Sequence, residues 1–389
     1  MEDGARFTFT VQDVEGDETR VSVSYANLAR ELDVGDTILV NDGLVKFRVQ
    51  EKTDTDLICE TLIGGELSDR KSMSFPNKVL KKVYLSETDK ADLLFGIEQD
   101  VDFVACSFVS TPRDVQDVRD FLDANGGKDI SIIAKLENRA GVDNASEIMK
   151  HCEGLMVARG DMGVEIPFVE LPAIQKQLIT MCRLQGGLAI TATEMLESMI
   201  SKPRPTRAEI SDVANAVFDG TSAVMLSGES AAGKYPVEAV QAMAGIAEEA
   251  EKHINYVERF ARQPFVLKNN TDALSHSACQ LAIDTDATCI VATTLSGLMG
   301  RLVARFRPPM PIIGMTPSEK AYRKLAMSWN VIPVVADEFN STDVLFYHAG
   351  LVARQTGLAG KGDTVVITGG ITNGSGGNSN LIKVETLTK

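Results

Sequence analysis

This 389-residue sequence lacks the residue patterns that are typical of zinc sites, membrane-spanning helices and signal peptides. Its six cysteines include no C-x-x-C pair, and its four histidines include no H-x-H or H-E-x-x-H pattern, so the spacing typical of zinc sites is missing. No run of about 18 apolar residues is present, which argues against a membrane-spanning helix. The first residues have neither a basic segment nor an apolar run, so we expect no signal peptide.

Charge and composition further limit the kinds of partner and the classes of protein that fit this sequence. The formal net charge of -15 disfavours nucleic acid or an anionic membrane as the main partner. Hydrophobic residues make up 44% of the chain, which is typical of a globular protein with an ordinary core. We expect the cysteines to be buried, reduced thiols and therefore expect a cytoplasmic protein. This length is enough for two or three domains.

The hydrophobic pattern divides the chain into three parts. Residues 1–85 alternate in the manner of short strands, and the runs 37–40 and 44–49 flank Asn41-Asp42-Gly43, a strong hairpin signal, so we expect a small antiparallel barrel or sandwich. Residues 86–252 alternate between capped helices and short apolar runs, which predicts right-handed βαβ units and a parallel sheet. Residues 253–389 repeat that alternation and are predicted to form a separate open α/β domain.

Polar side chains follow the successive apolar runs of the middle part. The runs lie at 101–106, 130–134, 154–158, 187–191 and 222–226, and the residues after them include Ser107, Lys135, Glu137, Asp161, Thr193 and Glu229. Because the carboxyl ends of parallel strands meet at one edge of a sheet, we expect these side chains to lie close together. The pattern therefore predicts an active site at this edge.

The residue types at this edge suit the binding of a phosphorylated anion. Glu137 and Asp161 are the kind of carboxylate pair that binds a hard divalent cation, Mg²⁺ or Mn²⁺. Lys135 is a point charge suited to phosphoryl oxygens, and the peptide N–H groups at Gly160 and Asp161 could bind a carboxylate. Thr193 adds a hydroxyl. A metal, an ammonium group and amide donors around one anion are what phosphoryl transfer requires.

Each of these residues also has an ordinary structural explanation. Lys135 and Glu137 could be a solvated strand end, the Arg-Gly-Asp tripeptide at 159–161 a surface turn, and Thr193 a helix cap. Glu229 could belong to the start of a helix. Their occurrence at successive strand ends favours a shared site over these separate explanations.

Six segments of the chain resemble the pyruvate kinase family. They are IIAKLEN at 132–138, GLMVARGDMGVE at 154–165, TATEMLESM at 191–199, KPRPTRAE at 202–209, DVANA at 212–216 and SGESAAG at 227–233. The resemblance implies a lid-like B domain at 1–85, a partial (β/α)8 TIM-type barrel at 86–252 and a C-terminal α/β regulatory domain at 253–389. It also implies that the protein forms a homotetramer.

The resemblance assigns roles by position. Lys135 is similar to the lysine that stabilises the transferring phosphoryl group, and Glu137 and Asp161 to the ligands of Mg²⁺ or Mn²⁺. Gly160, Asp161 and Thr193 are similar to the residues that bind the carboxylate of phosphoenolpyruvate or pyruvate, and Thr193 lies where the enolate is protonated. The implied catalytic residues are Lys135 and Thr193.

Two further sites are implied outside the barrel. Lys71 resembles a lid residue near ADP or ATP, although Ser72 stands where the family has glycine. Thr294, Ser296 and Gly297 resemble a phosphate-binding loop for a sugar-phosphate effector, with the loop 372–380 closing over it; an ordinary βα turn is the alternative. Glu194 stands where the family usually has glutamine.

The start of the chain departs from the family pattern. The family barrel begins with about three β/α units before the lid, and no such units precede the lid in this sequence. In the family those units supply the K⁺ ligands and arginines that contact substrate phosphates. The resemblance therefore implies an N-terminally truncated pyruvate kinase whose K⁺ ligands are missing.

The implied reaction converts phosphoenolpyruvate and ADP to pyruvate and ATP with Mg²⁺ and K⁺, and the isolated chain could be inactive. One alternative is a non-catalytic fragment that binds Mg²⁺, carboxylates and an effector. Another is a different Mg²⁺-dependent, pyruvate-handling barrel such as a lyase, which the lid and the spacing of Lys135 disfavour.

Overall fold

The structure, a computed structural model, describes every residue except 42, 77, 79, 82, 264, 371–378 and 389, and its described strands form three sheets. The strands are β1 Arg6–Thr10, β2 Arg20–Ser22, β3 Thr37–Val40, β4 Val45–Lys52, β5 Asp56–Ile63, β6 Met73–Ser74, β7 Phe103–Cys106, β8 Ser131–Leu136, β9 Gly154–Ala158, β10 Leu188–Ala192, β11 Ala223–Val224, β12 Cys289–Thr293, β13 Ile312–Thr316, β14 Val331–Val335, β15 Thr364–Gly370 and β16 Ser379–Thr386.

The helices lie mainly in the second and third parts of the chain. They are α1 Leu28–Glu31, α2 Glu87–Glu98, α3 Pro112–Ala124, α4 Arg139–Asp143, α5 Ala145–Ile148, α6 Arg159–Glu165, α7 Leu171–Gln185, α8 Arg207–Asp219, α9 Gly228–Ala231, α10 Pro236–Lys252, α11 Tyr256–Arg262, α12 Asn270–Asp284, α13 Leu298–Ala304, α14 Glu319–Leu325 and α15 Thr342–Gln355. Two short 3-10 helices occupy Phe168–Glu170 and Glu197–Ile200. Among the described helices, none is long and apolar enough to cross a membrane.

The first sheet, which we call the lid, has the order β2-β1-β5-β4-β3-β6. The hairpin of β3 and β4 is present as expected, with Asn41 and Gly43 in the left-handed region at φ of 55° and 81°. The expectation of a wholly antiparallel lid is wrong, because β1 and β2 are parallel. The connecting segment runs back beside the sheet, where the Ser22 hydroxyl bonds both the N–H and the C=O of Val14 at 2.8 Å.

The second sheet is parallel throughout and has the order β11-β10-β9-β8-β7. Three of its helices begin at side-chain caps. Ser86, Thr111 and Thr206 each form a capping box with the acidic residue three positions later, which satisfies the first N–H groups of α2, α3 and α8. Within the described residues this sheet has five strands, and β7 and β11 are each paired on one side only.

The third sheet has the order β14-β13-β12-β15-β16, with four parallel strands and β16 antiparallel to β15. This is the open α/β arrangement that the sequence predicted. Ion pairs join this part of the chain to the second sheet, which we call the barrel sheet. Arg323 of α14 lies 2.8 Å from Asp102 and 2.9 Å from Asp100, in the segment before β7. The exact domain boundaries at 85/86 and 252/253 stay predictions.

All six cysteines are free thiols, and burial raises the pKa of each one. The pKa rises to about 12 for Cys59, Cys106 and Cys152 and to about 11 for Cys289. Because the thiolate is the reactive form, we expect the native protein at pH 8 to react with Ellman's reagent at least about 100-fold more slowly than free cysteine. The same reaction in denaturant should titrate six thiols per chain, and a rapidly reacting native thiol would contradict this burial.

Candidate active site

The carboxyl ends of β8, β9 and β10 lie side by side at one edge of the barrel sheet. Parallel pairing places Leu136 beside Val157, and Ala158 beside Ala192, so the residues that follow these strands are neighbours. Lys135 lies near the end of β8, and the segments after the three strands bring Glu137, Asp161 and Thr193 to the same edge, as the sequence predicted. We call these four residues the strand-end cluster.

Glu137 is the buried centre of the strand-end cluster. Its side chain is 0% exposed, and its Oε1 lies 2.8 Å from Lys135 Nζ. Lys135 Nζ also donates to Ser107 Oγ at 2.8 Å, and the Phe108 N–H donates to Glu137 Oε2 at 2.5 Å. Phe108 adopts φ of 53°, in the left-handed region, where its N–H reaches the carboxylate.

The electrostatic environment of Glu137 is suited to a cation. Burial is the main reason that its pKa lies above the ordinary value, and the nearby charge of Asp161 raises the pKa further, while Lys135 and the Phe108 N–H oppose both effects. Oε1 is buried and has no polar contact among the described residues besides the ion pair with Lys135. A divalent cation would offset the burial of one carboxylate and its repulsion from the other, so these residues fit Mg²⁺ or Mn²⁺.

The two carboxylates would need further ligands to complete a metal site. The described residues contain no cluster of three or more His, Cys, Asp or Glu side chains that could bind a metal ion. Mg²⁺ usually keeps several waters and binds through one or two carboxylates together with substrate oxygens. Glu137 and Asp161 are therefore consistent with a metal that is shared between the protein and its substrate.

Gly160 and Thr193 contact each other across β9 and β10. The Gly160 N–H donates to Thr193 Oγ1 at 2.7 Å, and that hydroxyl donates to the Ala192 carbonyl at 2.7 Å. The sequence suggested that the Gly160 N–H would be available to a carboxylate. In this structure the N–H is engaged, so a carboxylate that binds it must exchange with the Thr193 hydroxyl.

Arg159 fixes the turn that carries Thr193, a role that the sequence did not suggest. Thr193 and Glu194 both lie in the left-handed region, at φ of 68° and 53°, a conformation that needs support from its surroundings. Arg159 Nη2 donates to the Thr193 carbonyl at 2.7 Å, and its Nη1 lies 2.6 Å from Asp212 of α8. The position of Arg159 directly after a strand could have marked it as a site residue. Nothing in the sequence indicated that its partner, Asp212, would come from a distant helix.

Removal of the Asp212 carboxylate should destabilise the barrel. The side chains of Arg159 and Asp212 are 12% and 33% exposed, so Asp212→Ala leaves a mostly buried guanidinium without the carboxylate that neutralises its charge. We expect the free energy of unfolding to fall by about 2 kcal/mol, measured by urea unfolding followed by circular dichroism. Asp117→Ala breaks the more exposed pair with Arg113 and should change the free energy by less than about 1 kcal/mol. Equal effects of the two substitutions would contradict this role.

Glu229, the last of the strand-end acids, is a structural residue in this fold. It is 0% exposed, its Oε1 accepts from the Leu196 N–H at 3.0 Å, and its Oε2 accepts from the Ser227 N–H at 2.7 Å. The carboxylate thus ties the loop after β10 to the start of α9. The structure favours the ordinary explanation for Glu229 over a role in the strand-end cluster.

Lys71 lies on the lid, just before β6. It is exposed and lines a cleft of about 2030 Å³ between the lid and the barrel, together with Ser107, Phe108 and Glu165. None of the four cluster residues lines that cleft. Glu165 joins the two parts, since its Oε1 accepts from the Phe75 N–H at 3.2 Å.

The candidate effector loop follows β12. Thr294 is half-buried, Ser296 is exposed, and Gly297 has φ of 84° at the start of α13. Most of the loop expected to close over it, 372–380, lies outside the described residues. Met299 is 2% exposed and packs in the core, so it does not face a ligand.

The chain matches known proteins over both the barrel and the third sheet. Residues 1–240 match the family model described as pyruvate kinase, barrel domain, and residues 272–385 match the model described as pyruvate kinase, alpha/beta domain. The whole chain aligns at 45% identity with pyruvate kinases from Clostridium acetobutylicum and Clostridium perfringens, of which it covers 82% each. It is also 43% identical to a pyruvate kinase from Geobacillus stearothermophilus, of which it covers 66%. The chain belongs to the pyruvate kinase family of enzymes.

Proposed function

We propose that this protein transfers the phosphoryl group of phosphoenolpyruvate to ADP, giving pyruvate and ATP. The observation that carries the proposal is the buried Glu137 carboxylate, paired with Lys135 and close to the charge of Asp161. A buried acid paired with a lysine at a barrel rim, close to a second carboxylate, suits a site that binds a metal and a phosphoryl group together. Family membership agrees with this reaction.

In this proposal the residues of the strand-end cluster have different roles in binding the metal and the phosphoryl group. Bound at Glu137 and Asp161, Mg²⁺ or Mn²⁺ would supply positive charge to the phosphoryl and carboxylate oxygens of the substrate. Lys135 has three N–H donors, of which Glu137 and Ser107 engage two, so one remains for a phosphoryl oxygen. Its charge neutralises the group as it moves between two oxygens.

The carboxylate end of the substrate belongs near Gly160, Asp161 and Thr193 in this proposal. The Thr193 hydroxyl lies where the enolate left by phosphoryl transfer would take up a proton, directly or through a water. Arg159 and Asp212 hold the Thr193 turn in place and so act as positioning residues. Lys71 would approach the nucleotide from the lid.

Several finer features belong to the same proposal. They are a K⁺ requirement, a sugar-phosphate effector bound by Thr294, Ser296 and Gly297, a homotetrameric assembly and a cytoplasmic location. The K⁺ requirement rests on family membership alone. The large lid cleft supports an approach path for ADP or ATP beside the cluster.

A second candidate function is a non-catalytic protein that binds Mg²⁺, a carboxylate and an effector. The observation that favours it is the barrel sheet, in which the described residues form five strands with two edges paired on one side only. A (β/α)8 barrel has eight strands, and residues on its other strands would normally complete the site. Such a protein would bind Mg²⁺ and phosphoenolpyruvate without converting phosphoenolpyruvate to pyruvate.

One assay separates these candidates. The purified full chain is supplied with phosphoenolpyruvate, ADP, Mg²⁺ and K⁺, and the release of pyruvate is measured with and without ADP. The proposed kinase releases pyruvate only with ADP, and the binding protein releases none while still binding phosphoenolpyruvate in the presence of Mn²⁺. Pyruvate release that is independent of ADP would overturn the proposal in favour of a phosphatase, which transfers the phosphoryl group to water.

A further inference from the structure

A second cavity lies between the barrel and the third sheet, away from the strand-end cluster. Its volume is about 310 Å³, and its walls come from the C-terminal end of α7, the segment before α12, the first turn of α12, and α13. The polar residues that line it are Gln185, Lys268, Asn269, Thr271, Asp272, Arg301 and Arg305. None of Thr294, Ser296 and Gly297 lines it, so it is distinct from the candidate effector loop.

The charged side chains around this cavity are mainly cationic. Lys268, Arg301 and Arg305 face one carboxylate, Asp272, which leaves a net charge of +2. Asp272 already has its partners, because its Oδ1 lies 3.0 Å from Arg305 Nη2 and its Oδ2 accepts from the Lys268 N–H at 3.0 Å. Among the described residues, neither Lys268 Nζ nor the Arg301 guanidinium has a hydrogen bond or an ion pair, although the charge of Glu153, which does not line the cavity, also acts on Arg301.

Two buried donors in the wall also lack acceptors. Arg305 is 5% exposed, and its Nε is buried without a hydrogen-bond partner; the Nε of Arg301 is buried and unpartnered in the same way. Buried N–H groups in folded proteins are nearly always satisfied by protein or water, so the two Nε donors in this wall are available to an acceptor that enters the cavity.

A helix terminus adds to the positive potential. α12 has fifteen residues, and its first turn contributes Thr271 and Asp272 to the wall. The N-terminus of a helix of this length carries a partial positive charge that favours an anion, although the Asp272 carboxylate offsets part of it and the Asp272 N–H already donates to Asn269 Oδ1 at 2.8 Å.

We propose that this cavity binds a small phosphomonoester, with the phosphate between Arg301, Lys268 and the start of α12. Guanidinium groups match phosphate oxygens through paired N–H donors, whereas a lone apolar or cationic ligand would leave the donors unsatisfied. The cavity is larger than a phosphate group alone, so there is space for a small organic part beside Leu184, Leu298 and Leu302. Because its walls belong to both α7 and α13, the ligand connects the barrel to the third sheet.

The test is calorimetric titration of the full chain with inorganic phosphate and then with glycerol 1-phosphate at constant ionic strength. Wild type should bind inorganic phosphate saturably, and Arg301→Gln should weaken that binding by about tenfold or more. Lys268 is exposed, so Lys268→Gln should fold normally and weaken binding several-fold. Arg262→Gln removes the same charge from an exposed residue outside the cavity and should bind like wild type.

Other outcomes overturn the proposal. No saturable binding to wild type at millimolar phosphate would do so, as would equal binding by Arg301→Gln, Lys268→Gln and Arg262→Gln. Binding that is lost in Ser296→Ala and kept in Lys268→Gln would assign phosphate to the effector loop instead. None of these readouts depends on turnover, so they stay separate from the proposed reaction.

Discussion

Replacing Lys135 with methionine should lower the rate of ADP-dependent pyruvate formation by at least about 1000-fold. Methionine keeps most of the length of the side chain and removes the charge that faces Glu137 and the transferring group. The Mn²⁺ affinity should remain, because Glu137 and Asp161 are unchanged and the substitution removes a competing cation. The measurement is a steady-state assay of pyruvate release alongside a Mn²⁺ titration by electron paramagnetic resonance.

Lys150→Met is the matched control for this substitution. Lys150 is an exposed lysine that pairs with Glu147 near the end of α5, so its loss should leave the rate within about twofold of wild type. Circular dichroism of both variants confirms that they are folded. If Lys135→Met retained the rate of Lys150→Met, Lys135 would have no part in the chemistry.

Replacing Glu137 with glutamine should weaken Mn²⁺ binding by at least about 100-fold and abolish measurable turnover. The shape of the side chain is preserved, and its amide oxygen can still accept from the Phe108 N–H, so the fold is retained. The substitution removes the buried negative charge of the Glu137 carboxylate. Burial and the nearby charge of Asp161 raise the pKa of this carboxyl group. The Mn²⁺ titration measures this loss without any need for turnover.

Glu147→Gln serves as the control for Glu137→Gln. Glu147 is exposed and pairs only with Lys150 among the described residues, so its neutralisation should not change the Mn²⁺ affinity. An unchanged affinity in Glu137→Gln would remove Glu137 from the metal site. The cluster would then be a buried ion pair with a structural role.

Local sequence signals predicted most of the fold because the elements concerned are stabilised locally. The capping boxes of α2, α3 and α8 need only residues three positions apart, and β9 was predicted at the residues where it occurs. β11 is shorter than the run at 222–226 because two of its residues pair with β10 and its other side has no partner in the described residues. The parallel pairing of β1 with β2 depends on the contact between Ser22 and Val14, which hydrophobic alternation does not encode.

The sequence predicted which residues meet at the site because it predicted approximately where the strands end. The apolar runs gave the end of β9 and came within two residues of the ends of β8 and β10, which was enough to predict that Lys135, Glu137, Asp161 and Thr193 share one edge. Backbone conformation was not encoded in that pattern, so the engaged Gly160 N–H and the left-handed Thr193 turn were missed. The Arg159 partner, Asp212, lies more than fifty residues away on α8, a pairing that only the tertiary structure reveals.

The most direct test asks whether the metal and the phosphate share the strand-end cluster. The ³¹P resonance of phosphoenolpyruvate is recorded with the full chain while Mn²⁺ is added, since a paramagnetic ion broadens the signal of a nucleus bound close to it. The account predicts strong broadening with wild type and with Lys150→Met, and its loss in Glu137→Gln and Asp161→Asn. Equal broadening in wild type and in both carboxylate variants would contradict the assignment of the metal to Glu137 and Asp161.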